Sequence, residues 1–279
     1  MYTIRPAEFD YVRPGSLDEA LAALAAEDAR PLAGGHSLLP MMKLRLARPA
    51  TLVDLARIPG LDGIRRDGPV VRIGALARHA AVASSELVRE ACPVLAETAA
   101  GIGDPQVRNR GTIGGSLAHA DPGADYPTVV RALGATITVA GADGTREVAA
   151  DDFFVGIFAT ALGHAELVTE VAVPAVKAAA YVKHAHPASG YAVVGVAAAV
   201  HDGGVRIAVG GATAVAVRAT AAEESLGGGS SPEAIAAAAA LVPGALEGAV
   251  GDSYASAEYR VHLAQVLAAR ALTAAFARA

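Results

Sequence analysis

Two stretches of the chain carry adjacent glycines, Ala33-Gly34-Gly35-His36-Ser37 and Thr112-Ile113-Gly114-Gly115-Ser116. Glycine adopts backbone angles that other residues avoid, and it lets main-chain N–H groups come close to a ligand. Consecutive N–H groups form a concavity that suits a pyrophosphate, and the two serines add hydroxyl donors. Either pair alone is also typical of a tight turn. Because the glycine pair occurs twice, we expect a nucleotide site. The two stretches are not identical, because His36 separates Gly35 from Ser37 whereas Ser116 follows Gly115 directly.

The first glycine pair lies inside a predicted α/β unit. Ser16-Leu17-Asp18-Glu19 is a capping box that opens a helix over 17–26. A strand over 30–33 leads into the glycines, and one or two helical turns interrupted by Pro40 follow over 38–46. A second strand over 51–55 completes this small unit.

The second glycine pair lies in a longer unit that begins near residue 70. We predict a strand over 70–75 and helices over 78–83 and 86–100, the latter broken near Pro93. The segment 101–115 is rich in Gly and also contains Pro, Asp and Asn, so it cannot continue a helix. A helix over 124–133, a hairpin over 136–148 and a strand over 166–173 complete the unit before Pro174.

The pattern changes after residue 175. Strands are predicted over 181–184, 191–200 and 205–210, the last two joined by the turn His201-Asp202-Gly203-Gly204. An alanine-rich helix begins at Ser231-Pro232-Glu233, and a last helix covers 257–277. The sequence therefore predicts an α+β protein. Its domains are residues 1–174, with subdomains of about 1–56 and 57–174, and a C-terminal lobe, 175–279, of a three-stranded antiparallel sheet with helices.

Composition excludes several classes of function. Of the 279 residues 18% are charged, the formal net charge is −5, and no Lys/Arg run occurs, which argues against nucleic-acid binding. Aromatic residues make up 4% and Trp is absent, so a base-stacking platform is not expected either. No apolar run approaches the roughly 20 residues that span a bilayer, and no export signal is evident. We expect a soluble, cytoplasmic protein.

Metal sites and the familiar nucleotide motifs are also disfavoured. The single cysteine, Cys92, cannot supply the thiolates of an iron–sulfur cluster, and a small buried thiol is the ordinary interpretation. The pair His184 and His186 lacks a further ligand nearby, so no metal is predicted in this chain. Gln106 replaces the third glycine of a dinucleotide fingerprint, and no lysine stands in a Walker frame.

The glycine stretches and their surroundings resemble a known family. Residues 32–40 and 112–127 are similar to the FAD-binding medium subunits of the xanthine dehydrogenase family of molybdenum hydroxylases, in the carbon monoxide dehydrogenase branch. The similarity continues through 166–171, 181–183, 190–197, 217–220 and 256–260, and so covers almost the whole chain.

The resemblance implies a fold and a cofactor site. It implies a PCMH/VAO-like FAD-binding domain of two α/β subdomains, with FAD in the cleft between them, beside a carbon monoxide dehydrogenase flavoprotein-like C-terminal lobe. The cofactor-binding residues that it implies are Leu32, Ala33, Gly34, Gly35, His36, Ser37, Leu38, Ile102, Gly111, Thr112, Gly114, Gly115, Ser116, Ala124, Asp125, Leu167, Lys183 and Tyr191.

Four of these residues carry individual expectations. The resemblance implies that Asp125 contacts the flavin nucleotide, Leu167 offers a backbone contact near the isoalloxazine, and Lys183 and Tyr191 lie beside the ring. A lysine near flavin N1 and O2 would stabilise the negative charge of reduced flavin. From residue type alone, Asp125 could instead cap a helix, Lys183 could be a solvated strand-end residue, and Tyr191 an ordinary core residue.

The implied function is electron transfer without a catalytic residue of this chain. In the family, a large subunit with the molybdenum cofactor oxidises the substrate, and a small subunit passes electrons through 2Fe-2S clusters to FAD, which reduces an external acceptor. The resemblance implies a dimer of heterotrimers and allows a peripheral contact with a membrane or quinone pool. Two alternatives remain open, a self-contained FAD oxidoreductase and a redox-inactive flavin-binding assembly module. The substrate, whether carbon monoxide, a purine, an N-heterocycle or an aldehyde, stays open, as does the acceptor.

Overall fold

The computed structural model describes residues 5–279, and its first segment is a small parallel sheet with two helices. The elements are β1 (Asp10–Val12), α1 (Leu17–Leu24), β2 (Ala29–Leu32), α2 (Leu38–Lys43) and β3 (Thr51–Asp54), with the strands in the order β1-β3-β2. Ser16 caps α1 by accepting a hydrogen bond from the Glu19 amide at 3.2 Å. The Glu19 carboxylate accepts from the Gly15 amide at 2.8 Å rather than from Ser16, which is one residue away from a standard capping box.

The second segment is built on a five-stranded antiparallel sheet in the order β4-β5-β10-β6-β7, with helices around it. Its elements are β4 (Ile64–Asp67), β5 (Val70–Gly74), α3 (His79–Ser84), α4 (Glu86–Ala91), α5 (Pro93–Ala100), α6 (Pro105–Arg108), α7 (Ile113–His119), α8 (Asp125–Ala132), β6 (Thr136–Gly141), β7 (Gly144–Ala149), α9 (Ala150–Phe153), the hairpin β8 (Phe154–Gly156) and β9 (Ala159–Thr160), and β10 (Leu167–Pro174). Pro93 begins α5, where a missing N–H costs nothing, so the predicted break is real.

The C-terminal lobe has four antiparallel strands rather than three. In the order β11-β12-β13-β14 they are β11 (Ala179–Ala185), β12 (Ala192–His201), β13 (Gly204–Gly210) and β14 (Val217–Arg218), followed by α10 (Thr220–Leu226), α11 (Pro232–Leu241) and α12 (Ala257–Phe276). The prediction missed β14 because two residues are too short to display a period of two.

Strand β12 packs against both the C-terminal lobe and the second segment. Eight consecutive residues of β12 are buried, so the strand is covered on both faces. Val194 and Val196 point into the core formed with the C-terminal helices, whereas Ala197 and Ala199 join the core of the second segment. The lobe sheet is therefore packed between α12 on one face and α8 on the other.

An ion cluster ties the same two segments together. Asp151, in α9, pairs with Arg206 at 2.8 Å and with Arg218 at 3.2 Å, both from the lobe sheet. Arg131, in α8, is buried and donates to the carbonyl oxygens of Asp151 and Ala216. Such buried cations require this complete set of acceptors, because an unpaired charge in the interior is costly.

The α+β fold with its C-terminal sheet-and-helix lobe is confirmed, and α5 ends at Ala100, so the segment 101–115 does not continue it. The segment 101–115 contains α6 and the first turn of α7, because Asp104 and Thr112 cap these short helices despite the surrounding glycines. The proposed boundaries at about 56 and 174 stay a prediction. None of the helices in the described part of the chain combines the length and hydropathy that a membrane-spanning helix needs.

Candidate functional site

A cavity of about 630 Å³ lies where the three segments meet. The two glycine loops line it together with the start of α3 and the end of the hairpin β8–β9, and the C-terminal lobe contributes residues 189–191. Apolar side chains such as Met41, Leu55, Leu76 and Val168 form much of its wall. The volume is in the usual range for sites that hold a cofactor or a drug-sized molecule.

The first glycine loop presents free backbone donors to this cavity. The amide N–H groups of Gly34, Gly35, His36 and Ser37 donate no hydrogen bond to any atom of residues 5–279. Gly35 has φ +77°, a left-handed conformation that favours glycine, and it reverses the chain between β2 and α2. Four successive donors without protein partners form the kind of concavity that binds an anion.

The second glycine loop differs, because the amides of its two glycines already donate hydrogen bonds within the protein. The Gly114 N–H donates to the Ala75 carbonyl at 2.9 Å, and the Gly115 N–H donates to Thr112 Oγ1 at 3.1 Å. Here the glycine pair lies in the first turn of α7, and Gly114 is needed for close packing. A Cβ at Gly114 would lie 2.7 Å from the Ala75 carbonyl oxygen. Among the described residues, the second loop thus leaves the Thr112 amide and the Ser116 hydroxyl unused, which is fewer free backbone donors than the first loop offers.

The two loops touch each other directly. A Cβ built on Gly34 would lie 2.8 Å from the carbonyl carbon of Arg110 and from Cα of Gly111. A Cβ built on Gly111 would in turn lie 2.5 Å from Nε2 of His79. Glycine at 34 thus allows the two loops to touch, and glycine at 111 allows close packing against the His79 ring.

Asp125 and Lys183, 58 residues apart in the chain, form a buried ion pair. Lys183 Nζ lies 3.0 Å from the Asp125 carboxylate, and it also donates to the carbonyl oxygens of Gly190 at 3.0 Å and Gly101 at 3.2 Å. An ammonium group has three protons, so these three acceptors use them all. Asp125 lines the cavity, whereas Lys183 lies behind it and does not.

Burial raises the pKa of the Asp125 carboxyl, and Lys183 and Tyr181 oppose that increase. Tyr181 donates its hydroxyl proton to Asp125 Oδ1 at 2.7 Å.

Tyr191 is half-exposed at the cavity rim, and partial burial together with the nearby Asp121 and Asp125 raises the pKa of its phenol. Gly190, which precedes it, has φ +73° and needs the freedom of glycine.

The structure brings nearly all of the predicted site residues to this cavity. Those that line it are Ala33, Gly34, Gly35, His36, Ser37, Leu38, Ile102, Gly111, Thr112, Gly114, Gly115, Ser116, Ala124, Asp125, Leu167 and Tyr191. Two do not line it. Leu32 packs behind Gly35, where a Cβ on that glycine would lie 3.4 Å from its Cδ1, and Lys183 is separated from the cavity by its partners.

Several lining residues were missed by the sequence prediction. His79 begins α3 and forms part of the floor, and Phe158, with φ +53° and its ring 5.0 Å from that of His119, lies beside the mouth. Asp121 accepts from the Gly123 amide at 2.9 Å. His119 and Asp121 lie inside the stretch 112–127 that carries the family resemblance, so the sequence could have indicated them as site residues. No local signal marks His79 or Phe158.

His79 gives the site a pH-dependent component of stability. Burial lowers its pKa to about 4, helped by the nearby His36 and Arg108, and its Nδ1 is buried without a partner among residues 5–279. An unfolded histidine titrates near 6.5. The stabilising difference is therefore complete above about pH 6.5 and is lost as the pH falls toward 4, because only the unfolded state then takes up the proton.

We expect the wild-type chain to lose about 2 kcal/mol of unfolding free energy through His79 between about pH 7 and pH 5. Urea unfolding at these two pH values measures the loss. His79→Gln, which has no proton to gain, should show a smaller difference, whereas His164→Gln, at an exposed position, should keep the wild-type difference. Equal pH dependence in all three proteins would contradict the assignment.

Comparisons with known proteins agree with this architecture. The family described as the FAD binding domain in molybdopterin dehydrogenase matches residues 7–176, and the CO dehydrogenase flavoprotein C-terminal domain matches 175–275. The chain is 42% identical to the carbon monoxide dehydrogenase medium chain of Hydrogenophaga pseudoflava, over 98% of this chain and 99% of that one. It is 39% identical to the 6-hydroxypseudooxynicotine dehydrogenase complex subunit alpha of Paenarthrobacter nicotinovorans, over 99% and 97%.

A solved structure shows the same similarity in three dimensions. The carbon monoxide dehydrogenase of Hydrogenophaga pseudoflava that lacks the Mo-pyranopterin moiety superimposes with a TM-score of 0.93 at 43% identity. The superposition covers 98% of this chain and 99% of the other.

Proposed function

The chain belongs to the family of FAD-binding medium subunits of molybdenum hydroxylases, and from that membership we propose that the cavity between its segments is the FAD site. The observation that carries this proposal is the row of four amides from Gly34 to Ser37 at the cavity wall, which have no partner within residues 5–279. In this arrangement the pyrophosphate lies against the first glycine loop, and the Ser116 hydroxyl of the second loop contributes a donor.

The residues present fit such a cofactor. The cavity combines one anion-binding wall with apolar walls, which suits a molecule that carries a pyrophosphate and a large aromatic ring. A buried ring nitrogen of His79 lacks a protein partner within residues 5–279, and buried polar groups normally have one. Tyr191 at the rim offers an aromatic surface on which a flat ring can stack.

Bound FAD supplies the exchange of one or two electrons, and the protein supplies its binding and orientation. The electron transfer role fits the family. The chain's one cysteine, Cys92, is fully buried, and burial raises the pKa of its thiol to about 12, so it stays a protonated core residue. We propose that 2Fe-2S clusters on a separate small subunit deliver electrons to the cavity.

The proposed assembly also contains a large subunit with the molybdenum cofactor, and two such heterotrimers form the complete enzyme. Relatives carry the words medium chain and complex subunit in their names, in agreement with a multi-subunit organisation. Val155, Ile157 and Phe158 expose apolar side chains on the β8–β9 hairpin beside the cavity mouth, and such exposed groups support a protein contact there. We place the complex in the cytoplasm. The quinone pool is among the candidates for its external electron acceptor.

FAD titration tests the cofactor proposal. The purified chain, or its complex with co-produced partner subunits, is titrated with FAD while flavin fluorescence and the visible absorption spectrum are recorded. Stoichiometric uptake of one FAD per chain is expected. A protein that takes up no FAD in either preparation would favour the assembly-module alternative, and a lone chain that oxidises a substrate without partners would favour the self-contained oxidoreductase.

A further inference from the structure

Alternation along β11 directs two polar side chains toward the cavity. Successive residues of a strand point to opposite faces, so Tyr181 and Lys183 share one face while Val182 packs into the core of the C-terminal lobe. The shared face meets the start of α8, where Asp125 is the first helical residue. Both side chains bond the same carboxylate, Tyr181 at 2.7 Å and Lys183 at 3.0 Å.

The path of the Tyr181 side chain depends on a glycine in the neighbouring strand. A Cβ built on Gly195 would lie 2.8 Å from Cζ of Tyr181, so any larger residue there would displace the phenol. Gly195 is opposite Lys183 in the β11–β12 register, and the other residues of its strand are apolar up to Val200. A glycine within such a strand indicates close approach of another group, and here that group is the tyrosine ring.

Asp125 is buried and lines the cavity, yet its carboxylate has more acceptor sites than Tyr181 and Lys183 occupy. An ionised carboxylate accepts about four hydrogen bonds, and the two partners hold it from the C-terminal lobe. The remaining acceptor sites are available to a donor inside the cavity.

We propose that Tyr181 is a positioning residue that, with Lys183, holds the Asp125 carboxylate ionised and oriented to accept a hydrogen bond from FAD. This inference rests on the proposed function, since it concerns the same cavity. Tyr181 itself does not line the cavity, and it acts through Asp125. The C-terminal lobe thereby contributes to cofactor binding through the Asp125 carboxylate.

The charged and titratable groups around Asp125 determine in which direction FAD binding should change with pH. Lys183 and Tyr181 face it from β11, Tyr191 faces it from the following loop, and Asp121 and Tyr126 belong to its own segment. Loss of the tyrosine hydroxyl removes a group that lowers the pKa of Asp125, so the carboxyl would take up a proton at a higher pH. A protonated Asp125 accepts hydrogen bonds poorly, and FAD binding weakens on the acid side.

Tyr181→Phe tests the proposal, with the FAD dissociation constant measured from about pH 5 to pH 8. The preparation is the full chain, or the complex if only the complex takes up FAD. We expect the dissociation constant at neutral pH to rise about tenfold. We also expect the midpoint of the acid limb to move up by about one pH unit. Tyr259→Phe, at an exposed tyrosine, is the matched control and should leave both quantities unchanged.

Two further variants keep the test decisive if Tyr181→Phe does not fold. Gly195→Ala should push the phenol off the carboxylate and reproduce the same two shifts. Asp125→Asn carries no titrating carboxyl, so its FAD binding should be weak and independent of pH in this range. Wild-type uptake of FAD together with unchanged affinity and pH midpoint in these variants would overturn the positioning role alone. Failure of the wild type itself to take up FAD would overturn the proposed function.

Discussion

Gly34→Ala is expected to weaken FAD binding about a hundredfold, which is the largest effect on binding among these predictions. The added methyl group would overlap the backbone of Arg110 and Gly111, and backbone cannot move aside as the end of a side chain can. The first loop must therefore shift outward, and its four free amides leave the positions in which they converge. Overpacking of this kind typically costs about 1–3 kcal/mol even before ligand contacts are lost.

The measurement is an FAD titration followed by flavin fluorescence, together with the thermal midpoint of the chain without cofactor. Gly203→Ala is the matched control, because a Cβ at that turn position meets no atom within 4 Å. The control should bind FAD like the wild type. If Gly34→Ala binds FAD as tightly as the wild type, the close contact between the two loops does not position the pyrophosphate site.

Arg260→Met is expected to destabilise the chain by about 3 kcal/mol, the largest effect on stability. Arg260 is buried at the start of α12, and its Nη1 donates to the carbonyl oxygens of Gly211 at 2.6 Å and Val193 at 2.9 Å. Its Nη2 pairs with Asp252 at 2.5 Å. Methionine fills much of the volume but leaves both buried carbonyls without a donor, and that desolvation cost is not recovered.

Urea unfolding followed by far-UV circular dichroism measures this loss. Arg278→Met is the comparison, because the Arg278 side chain is 37% exposed, pairs with Glu97 at 3.0 Å and donates to only one carbonyl oxygen, that of Ala179 at 2.9 Å, so the loss should be smaller. Equal unfolding midpoints for the two variants would show that the buried arginine does not hold β12, β13 and α12 together.

Local patterns predicted most elements of the fold because they depend on neighbours in the chain. The capping serine at 16, the break at Pro93 and the turn between β12 and β13 all follow from residues within a few positions of each other. The sequence did not indicate the two short helices that Asp104 and Thr112 start in the glycine-rich segment 101–115. There the apolar residues Ile113 and Leu117 are buried in the main core, and that packing outweighs the low helix propensity of Gly114 and Gly115.

The candidate site, like the fold, could be predicted from the sequence only in part. The sequence identified both glycine loops, and the structure brings them to one cavity wall. It could not distinguish the loop with free amides from the loop whose amides are bonded, because the Ala75 carbonyl that takes the Gly114 proton comes from a separate element. Nothing in the order of residues shows either that Asp125, Gly101 and Gly190 use the three protons of Lys183.

The sequence by itself determined the family, the α+β class and the two glycine loops, since each is recorded in short runs of adjacent residues. Only the tertiary structure decided which donors remain free for a cofactor, why His79 lies beneath Gly111, and how Tyr181 reaches Asp125 across Gly195. The reason is that each hydrogen bond needs a donor and an acceptor within about 3 Å, and these partners come from segments whose proximity folding alone creates.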